Sequence, residues 1–296
     1  MNHFKTFLLM FGLLLLMMLV GQVIGGNQGM VSFFVMGLIM NFISYWFSDK
    51  IVLLMSGAKA VEEKELPQVY KIVRKLTLSQ NMPMPKIYLM QSPVPNAFAT
   101  GRNPEHAAVA VTTGIMNILD EKELTGVLGH ELAHVKNRDI LISTIAAAIA
   151  GSVMMASRMF MWFGMFGGHG SDDRENRSSG IVMLVVAILA PIAAMIIQMA
   201  ISRAREYAAD EGGSEITQLP LSLASALKKL QAGVQRNPQQ ISPATAHLYI
   251  VSPLSGGSFL TLFSTHPPIP ERVKRLEAMA SKINPGILPN NQKIVY

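Results

Sequence analysis

The sequence of 296 residues contains no cysteine. This absence excludes disulfide bonds, thiolate metal sites and a cysteine nucleophile, so any metal site here must use nitrogen and oxygen ligands. Charge is also scarce, because Asp, Glu, Lys and Arg make up only 15% of the chain, whereas hydrophobic residues make up 50%. Such a composition is unusual for a soluble protein and indicates segments that lie in a membrane.

Three parts of the chain are almost free of charged residues. No Asp, Glu, Lys or Arg occurs between Lys5 and Asp49 or between Arg177 and Arg203, and only Arg158 interrupts a third such part. The net charge of +6 would suit nucleic acid, but no array of basic and aromatic residues accompanies it. We therefore predict a membrane protein that does not bind nucleic acid.

Four apolar runs in these parts approach or exceed the length that crosses a hydrocarbon core of about 30 Å. They form two predicted transmembrane hairpins, Thr6–Ile24 with Met30–Phe47 and Ile140–Phe166 with Gly180–Ile201. A signal peptide is a weaker interpretation of the first run, because no small-x-small cleavage site follows and a second run begins almost at once. For the second hairpin, rich in Ala and Met, a buried helical hairpin of a soluble domain is the alternative.

The distribution of the 25 Lys and Arg residues predicts the orientation in the membrane. One precedes the first run, eleven lie from Lys50 to Arg138, and ten lie from Arg203 onward. The loop Gly25–Gly29 has none and the loop Gly167–Ser179 has two. Since basic residues are enriched on the cytoplasmic side, both termini and the segment between the hairpins are predicted to be cytoplasmic.

The pattern His130-Glu131-Leu132-Ala133-His134 is the main chemical signal. On a helix, residues four apart lie one above the other, so His130 and His134 can reach one tetrahedral zinc ion, with Glu131 beside them as a candidate base. Asp120 as N-cap and Glu123 three residues later predict a capping box at the start of this helix. The alternative interpretation is two solvated or core histidines that happen to bracket a glutamate.

Two glycines inside this predicted helix, Gly126 and Gly129, oppose helix formation by about 1 kcal/mol each relative to Ala. A close approach of another backbone at these positions would explain why the helix contains them. We therefore predict that a second element packs tightly against the helix.

A second helical pattern, Ser202 to Asp210, follows the fourth apolar run. Its Glu206 would complete a site of two histidines and one carboxylate, which leaves the fourth zinc position open for water. Asp210, one turn later, would accept the free N–H of a ligating imidazole and orient it. The alternative is a surface charge ladder in which Arg203 and Glu206 form an ion pair.

The rest of the sequence predicts a mostly α-helical fold with a small β-sheet. Helical periodicity covers 66–80, 219–235 and 270–280, and strand-like runs cover 85–90 and 107–113. Between these strands lies an extended segment whose residues Asn96, Ala97, Phe98 and Ala99 are candidate substrate-binding residues. The segment is either an ordinary hairpin strand or an exposed edge strand that binds an extended peptide by β-addition.

These motifs resemble the HtpX-type membrane-bound zinc metalloproteases, which are related to the CAAX prenyl proteases. The resemblance rests on the two apolar hairpins and on four segments, Pro95 to Gly101, His130 to Asp139, Ser202 to Asp210 and Ser264-Thr265-His266-Pro267-Pro268. It implies a zincin-like catalytic domain, one Zn²⁺ per chain, His130, His134 and Glu206 as its ligands, and Glu131 as catalytic base.

The resemblance also implies a role for His266. Between Thr265 and two prolines, this residue reads as an ordinary loop histidine, whereas the resemblance makes it a candidate donor to the developing oxyanion. For the whole protein it implies quality control of membrane proteins under stress in the bacterial inner membrane, with quality-control proteases as partners.

We therefore predict an N-terminal hairpin (1–48), a catalytic domain in two parts (49–139 and 202–296) and a second hairpin between them (140–201). The predicted activity is that of a zinc metalloendopeptidase that cleaves misfolded or damaged membrane proteins and unfolded polypeptides at the cytoplasmic membrane face. Its mechanism would be attack of zinc-activated water on the peptide bond. The rival interpretations are a zinc-stabilised membrane scaffold and a transporter, neither of which would need Glu131 as a base.

Overall fold

A computed structural model describes residues 2–142, 144–145, 203–236, 248–251 and 267–283. Most of the predicted second hairpin, including the loop Gly167–Ser179, lies outside the described residues, and so does His266. The described elements are seven α-helices, a short 3₁₀-helix and four strands. In chain order they are α1 (Asn2–Met55), β1 (Lys59–Ala60), α2 (Pro67–Ser79), β2 (Lys86–Met90), β3 (Ala97–Gly101), the 3₁₀-helix Pro104–His106, β4 (Ala107–Thr112), α3 (Thr113–Ile118), α4 (Glu121–Lys136), α5 (Arg203–Thr217), α6 (Pro220–Arg236) and α7 (Ile269–Ile283).

Helix α1 folds back on itself near Gly26, which has a φ of +59°. In a straight helix, Met10 and Asn41 would lie about 46 Å apart. Instead, the Asn41 amide nitrogen donates to the Met10 carbonyl at 3.0 Å. The turn falls within the predicted loop Gly25–Gly29.

Among the described residues, one helix, Gly26–Met55, is long and apolar enough to cross a membrane, and Thr6–Leu19 is a shorter apolar helix. The helix continues past the predicted boundary at residue 48. Its last turns pack Val52 and Leu53 against the sheet. The crossing of the membrane by two hairpins stays a prediction.

The four strands form one mixed sheet in the order β1-β2-β4-β3. β2 and β4 are parallel, whereas β3 runs antiparallel to β4 at the edge of the sheet. Every residue of β4 is buried, because side chains that alternate along a strand meet packed elements on both sides of this sheet. One face joins the core of α2, α4 and α6, and the other contacts the end of α1. The predicted mostly α-helical fold with a small sheet is therefore confirmed.

Candidate metal centre

The start of α4 is held by the predicted capping box. Asp120 Oδ1 accepts hydrogen bonds from the backbone nitrogens of Lys122 and Glu123 at 2.9 Å, and Glu123 Oε2 accepts from the Asp120 nitrogen at 3.0 Å. Glu123 also accepts from Ser225 Oγ and Lys229 Nζ of α6, both at 2.7 Å. The cap therefore satisfies free amides of the helix and fixes α4 to α6.

Close packing of α4 on α5 brings the two halves of the site together. A Cβ atom on Gly213 of α5 would lie 2.7 Å from the His130 nitrogen, and one on Gly129 would clash with Thr217 Cγ2. A Cβ on Gly126 would lie 2.9 Å from the Leu223 nitrogen. The predicted close approach at Gly126 and Gly129 is confirmed, and α5 can thereby present Glu206 to the histidines of α4.

We expect Gly213→Ala to separate these helices and weaken the metal centre. Inserting a methyl group into so tight a contact should destabilise the protein by about 1–3 kcal/mol and lower its metal content. The matched control is Gly212→Ala, whose Cβ would lie 3.3 Å from Ala133 Cβ and needs little adjustment. Thermal unfolding in detergent and metal analysis would measure both, and unchanged stability and metal content in Gly213→Ala would contradict this account of the packing.

The side chains of His130, His134 and Glu206 converge on one point. Their ligand atoms all lie within 4.8 Å of one another. Glu206 Oε2 lies 3.8 Å from His130 Nε2, and Glu206 Oε1 lies 3.5 Å from His134 Nε2. Two ligands of a tetrahedral zinc ion at 2.0–2.1 Å would be about 3.3 Å apart. The two distances to Glu206 are thus close to the spacing of zinc ligands, and the cluster as a whole would have to contract around a bound ion.

An aspartate lies near the Nδ1 atom of each imidazole. His130 Nδ1 lies 3.0 Å from Asp210 Oδ1, and His134 Nδ1 lies 3.6 Å from Asp139 Oδ2. A proton on Nδ1 that points at a carboxylate leaves Nε2 as the acceptor or metal ligand. Burial lowers the pKa of His134, but Asp139, Glu206 and Glu131 outweigh it and raise the pKa above its ordinary value.

The structure adds Arg272 of α7 to this centre, a residue that sequence reasoning missed. Its fully buried guanidinium donates from Nε and Nη2 to Asp210 at 2.8 and 2.7 Å, and Nη1 lies 3.7 Å from Glu206 Oε2. The sequence did carry a signal, because Arg272 follows Ile269 by three residues and precedes Leu276 by four, on the apolar face of an amphipathic helix. Asp139 was also missed, and it carried no comparable signal.

Asp210 is ionised in this environment. Burial raises its pKa, but Arg272 and His130 outweigh that effect and bring the pKa of Asp210 down to about 2. The carboxylate therefore accepts hydrogen bonds from both partners at neutral pH. Glu206 is 5% exposed and Asp210 is 2% exposed, so these residues do not form the surface charge ladder that was the alternative interpretation.

Glu131 is also buried, and it contacts the edge strand. Its Oε2 accepts a hydrogen bond from the Ala99 nitrogen at 2.9 Å, on the side of β3 away from β4. β3 lies at the edge of the sheet, and the side chains of Ala97 and Phe98 are buried. The side-chain nitrogen of Asn96 donates to the Leu248 carbonyl, and its side-chain oxygen accepts from the Ile250 nitrogen. This side chain therefore fixes β3 to residues 248–250.

This chain matches a known protein family and individual proteins over most of its length. The family model described as "Peptidase family M48" matches residues 63–280. A "Protease HtpX homolog" of Syntrophobacter fumaroxidans is 55% identical over 280 residues, which are 94% of this chain and 99% of that protein. A protein of the same name in Thermodesulfovibrio yellowstonii is 55% identical over 282 residues, or 95% and 100% of the two chains. The "Crystal Structure of S. mikatae Ste24p" covers 93% of this chain and 65% of its own, with 19% identity and a TM-score of 0.49.

Proposed function

Because this chain belongs to peptidase family M48 and is a membrane-bound metalloprotease, we propose that it binds one Zn²⁺ ion through His130, His134 and Glu206, with Glu131 as the catalytic base. The observation that carries this proposal is the convergence of these three ligand groups from α4 and α5. Two nitrogens and one carboxylate, with no thiolate in the chain, suit a hydrolytic zinc site with an open fourth position. A scaffold or transporter without proteolysis is not favoured.

Each residue of the proposed site would have a separate role in peptide-bond hydrolysis. Zinc, when bound, lowers the pKa of water and polarises a carbonyl group. Glu131 would take the proton of the attacking water and deliver it to the leaving amine. Asp210 and Asp139 would hold the two imidazoles in the tautomer that leaves Nε2 available. By the family resemblance alone, His266 would donate to the developing oxyanion.

We propose that the substrate polypeptide lies extended beside β3. The hydrogen bond from Ala99 to Glu131 fixes the edge strand and the base to each other, so a peptide along this edge would pass next to the base. The outward backbone groups of Ala97 and the carbonyl of Ala99 would be its partners, whereas Phe98 pairs with β4. Binding through backbone groups suits unfolded polypeptides, because it requires no particular side chains.

The proposed substrates are misfolded or damaged membrane proteins, cleaved at the cytoplasmic face of a bacterial inner membrane. His134 precedes Ile140, where an apolar run begins, by only six residues. The first residues of that run, Leu141, Ile142 and Ile145, pack in one cluster with apolar residues of α1. The centre would therefore lie close to the bilayer surface, where loops and tails of membrane proteins are accessible. Residues 49–139 and 202–296 would form one catalytic domain between the hairpins 1–48 and 140–201.

Removal of the metal tests the proposed site. Detergent-purified protein should degrade an unfolded protein, lose this activity with a chelator and regain it with Zn²⁺. Glu206→Ala should lower metal content and activity together, because one of three ligands is lost. The matched control is Glu211→Ala, an exposed carboxylate on the same helix, which should change neither. Full metal content and activity in Glu206→Ala would exclude Glu206 as a ligand.

The proposed topology can be tested with single cysteines, since the chain has no native thiol. If the second hairpin crosses the membrane twice, Ser171→Cys and Ser179→Cys should react with a membrane-impermeant maleimide in intact cells. Ser56→Cys should react only after the membrane is broken, because it would lie in the cytoplasm. Protection of all three positions before lysis would show that this hairpin does not cross, and labelling of Ser56→Cys in intact cells would reverse the proposed orientation.

A further inference from the structure

A second site lies where α1 meets the sheet, away from the metal centre. It is a cavity of about 610 Å³, here called the interfacial cavity. The aromatic side chains of Phe42, Trp46 and Phe47 line it from α1, and Lys86 and Arg102 line it from the sheet region. None of the residues that form the metal centre lines it, so the proteolytic mechanism leaves it without a role.

Its position along α1 corresponds to a membrane boundary. From the turn at Gly26, about 20 residues of helix span a hydrocarbon core of about 30 Å and end at Trp46. Tyr45 and Trp46 therefore lie where aromatic belts of membrane proteins contact lipid headgroups. The side chains of Phe42, Trp46 and Phe47 are 59%, 45% and 42% exposed, an apolar surface that suits acyl chains better than water.

Arg102 is held in place at this boundary. Its guanidinium carbon lies 4.7 Å from the centroid of the Trp46 ring. Its Nη2 lies 2.8 Å from His106 Nε2, and His106 Nδ1 lies 2.7 Å from Asn103 Oδ1. Because an amide oxygen can only accept, Nδ1 carries the proton and Nε2 accepts from Arg102. The neutral His106 thus takes one of five guanidinium N–H groups and adds no charge.

The cavity has more basic than acidic side chains. In the part of the chain that the structure describes, Lys50, Lys86 and Arg102 form no ion pair, and all three line the cavity. Asp49 and Glu105 line it too, so three cations accompany two carboxylates. The excess of one positive charge complements a ligand with one negative charge.

We propose that the interfacial cavity binds one anionic membrane phospholipid such as phosphatidylglycerol. Its phosphodiester would accept hydrogen bonds from Arg102 and interact with Lys50, because a guanidinium is suited to phosphate oxygens. Its glycerol and first acyl methylenes would lie against Phe42, Trp46 and Phe47. The lipid would bridge α1 and the catalytic domain, which couples the position of the sheet to the membrane surface.

Trp46 can report this binding, because the chain has only one other tryptophan, Trp162. We would reconstitute Trp162→Phe protein in phosphatidylcholine nanodiscs that contain an equal fraction of brominated phosphatidylglycerol or brominated phosphatidylcholine. Bromine quenches the fluorescence of a nearby tryptophan, so selective binding should appear as stronger quenching of Trp46 by the anionic lipid. We expect an enrichment of about fivefold at Trp46, because one basic residue near a membrane surface contributes about 1 kcal/mol to the binding of anionic lipid. Arg102→Gln should abolish this preference and Lys50→Gln should reduce it, whereas the matched control Arg236→Gln, outside the cavity, should retain it.

The other outcomes overturn the proposal. Equal quenching of Trp46 by the two brominated lipids would mean that the cavity does not select an anionic lipid. A preference that persists in both Arg102→Gln and Lys50→Gln would mean that these cations do not bind the headgroup. Two separate variants are used so that a folding defect in one of them does not decide the result. Loss of the preference when excess glycerol phosphate is added would show that the site takes a free phosphate and not a lipid.

Discussion

Glu131→Gln should keep the metal and lose proteolysis by at least about 10²-fold. Glutamine has nearly the shape of glutamate, and its side-chain oxygen can still accept the hydrogen bond from the Ala99 nitrogen. Neither imidazole is changed, and Glu131 is not among the three clustered ligands. The variant therefore removes only the group that accepts and returns a proton.

The experiment measures metal content and the rate of cleavage of an unfolded protein for the same preparation. The matched control is Glu121→Gln, an exposed carboxylate at the start of the same helix, which should retain full activity. Substantial proteolysis by Glu131→Gln would refute its assignment as the base. An unchanged cellular phenotype with no proteolysis would instead support a scaffold function.

The second large effect concerns the buried pair of Asp210 and Arg272. Asp210→Ala should lower metal affinity by about 10–100-fold, because His130 loses the partner of its Nδ1. It should also destabilise the fold by about 3–5 kcal/mol, because the buried guanidinium of Arg272 loses both of its short hydrogen bonds. An orienting role for Asp210 alone would not include this loss of stability.

A double-mutant cycle separates the two roles of Asp210. Asp210→Ala combined with Arg272→Met should recover much of the stability, since an apolar pair replaces the unpaired charge, but metal affinity should stay low. Unfolding of the metal-free protein and competition with a chelator would measure the two quantities. Glu271→Ala is the control, because it breaks the exposed pair with Arg275 on the same helix and should change little. Recovery of metal affinity in the double variant would contradict the orientation of His130 by Asp210.

The sequence alone could predict the relative positions of residues that lie within one helix. Residues four apart on a helix lie on the same side, so the juxtaposition of His130 with His134 follows from spacing. The capping box of α4 was predictable for the same reason, since its hydrogen bonds join residues three positions apart. The distribution of charges likewise needed no coordinates to indicate membrane segments.

Glycine at 126 and 129 was an intermediate case. Glycine lowers the stability of a helix, so its presence indicated a tightly packed neighbour. The identity of the neighbours, Leu223 and α5, came only from the structure. The same holds for Glu206, because its chemistry suggested a ligand, whereas its convergence with α4 depends on how two helices distant in sequence pack.

Only the tertiary structure showed the contacts that join elements distant in the chain. Arg272 meets Asp210 because α7 packs against α5, and Glu131 meets Ala99 because α4 packs against β3. Burial of a charged residue is stable only with partners of opposite charge, and sequence spacing does not place partners that lie 62 positions apart. Sequence thus determined the chemistry that each helix can offer, and packing decided which of these groups meet at one metal centre.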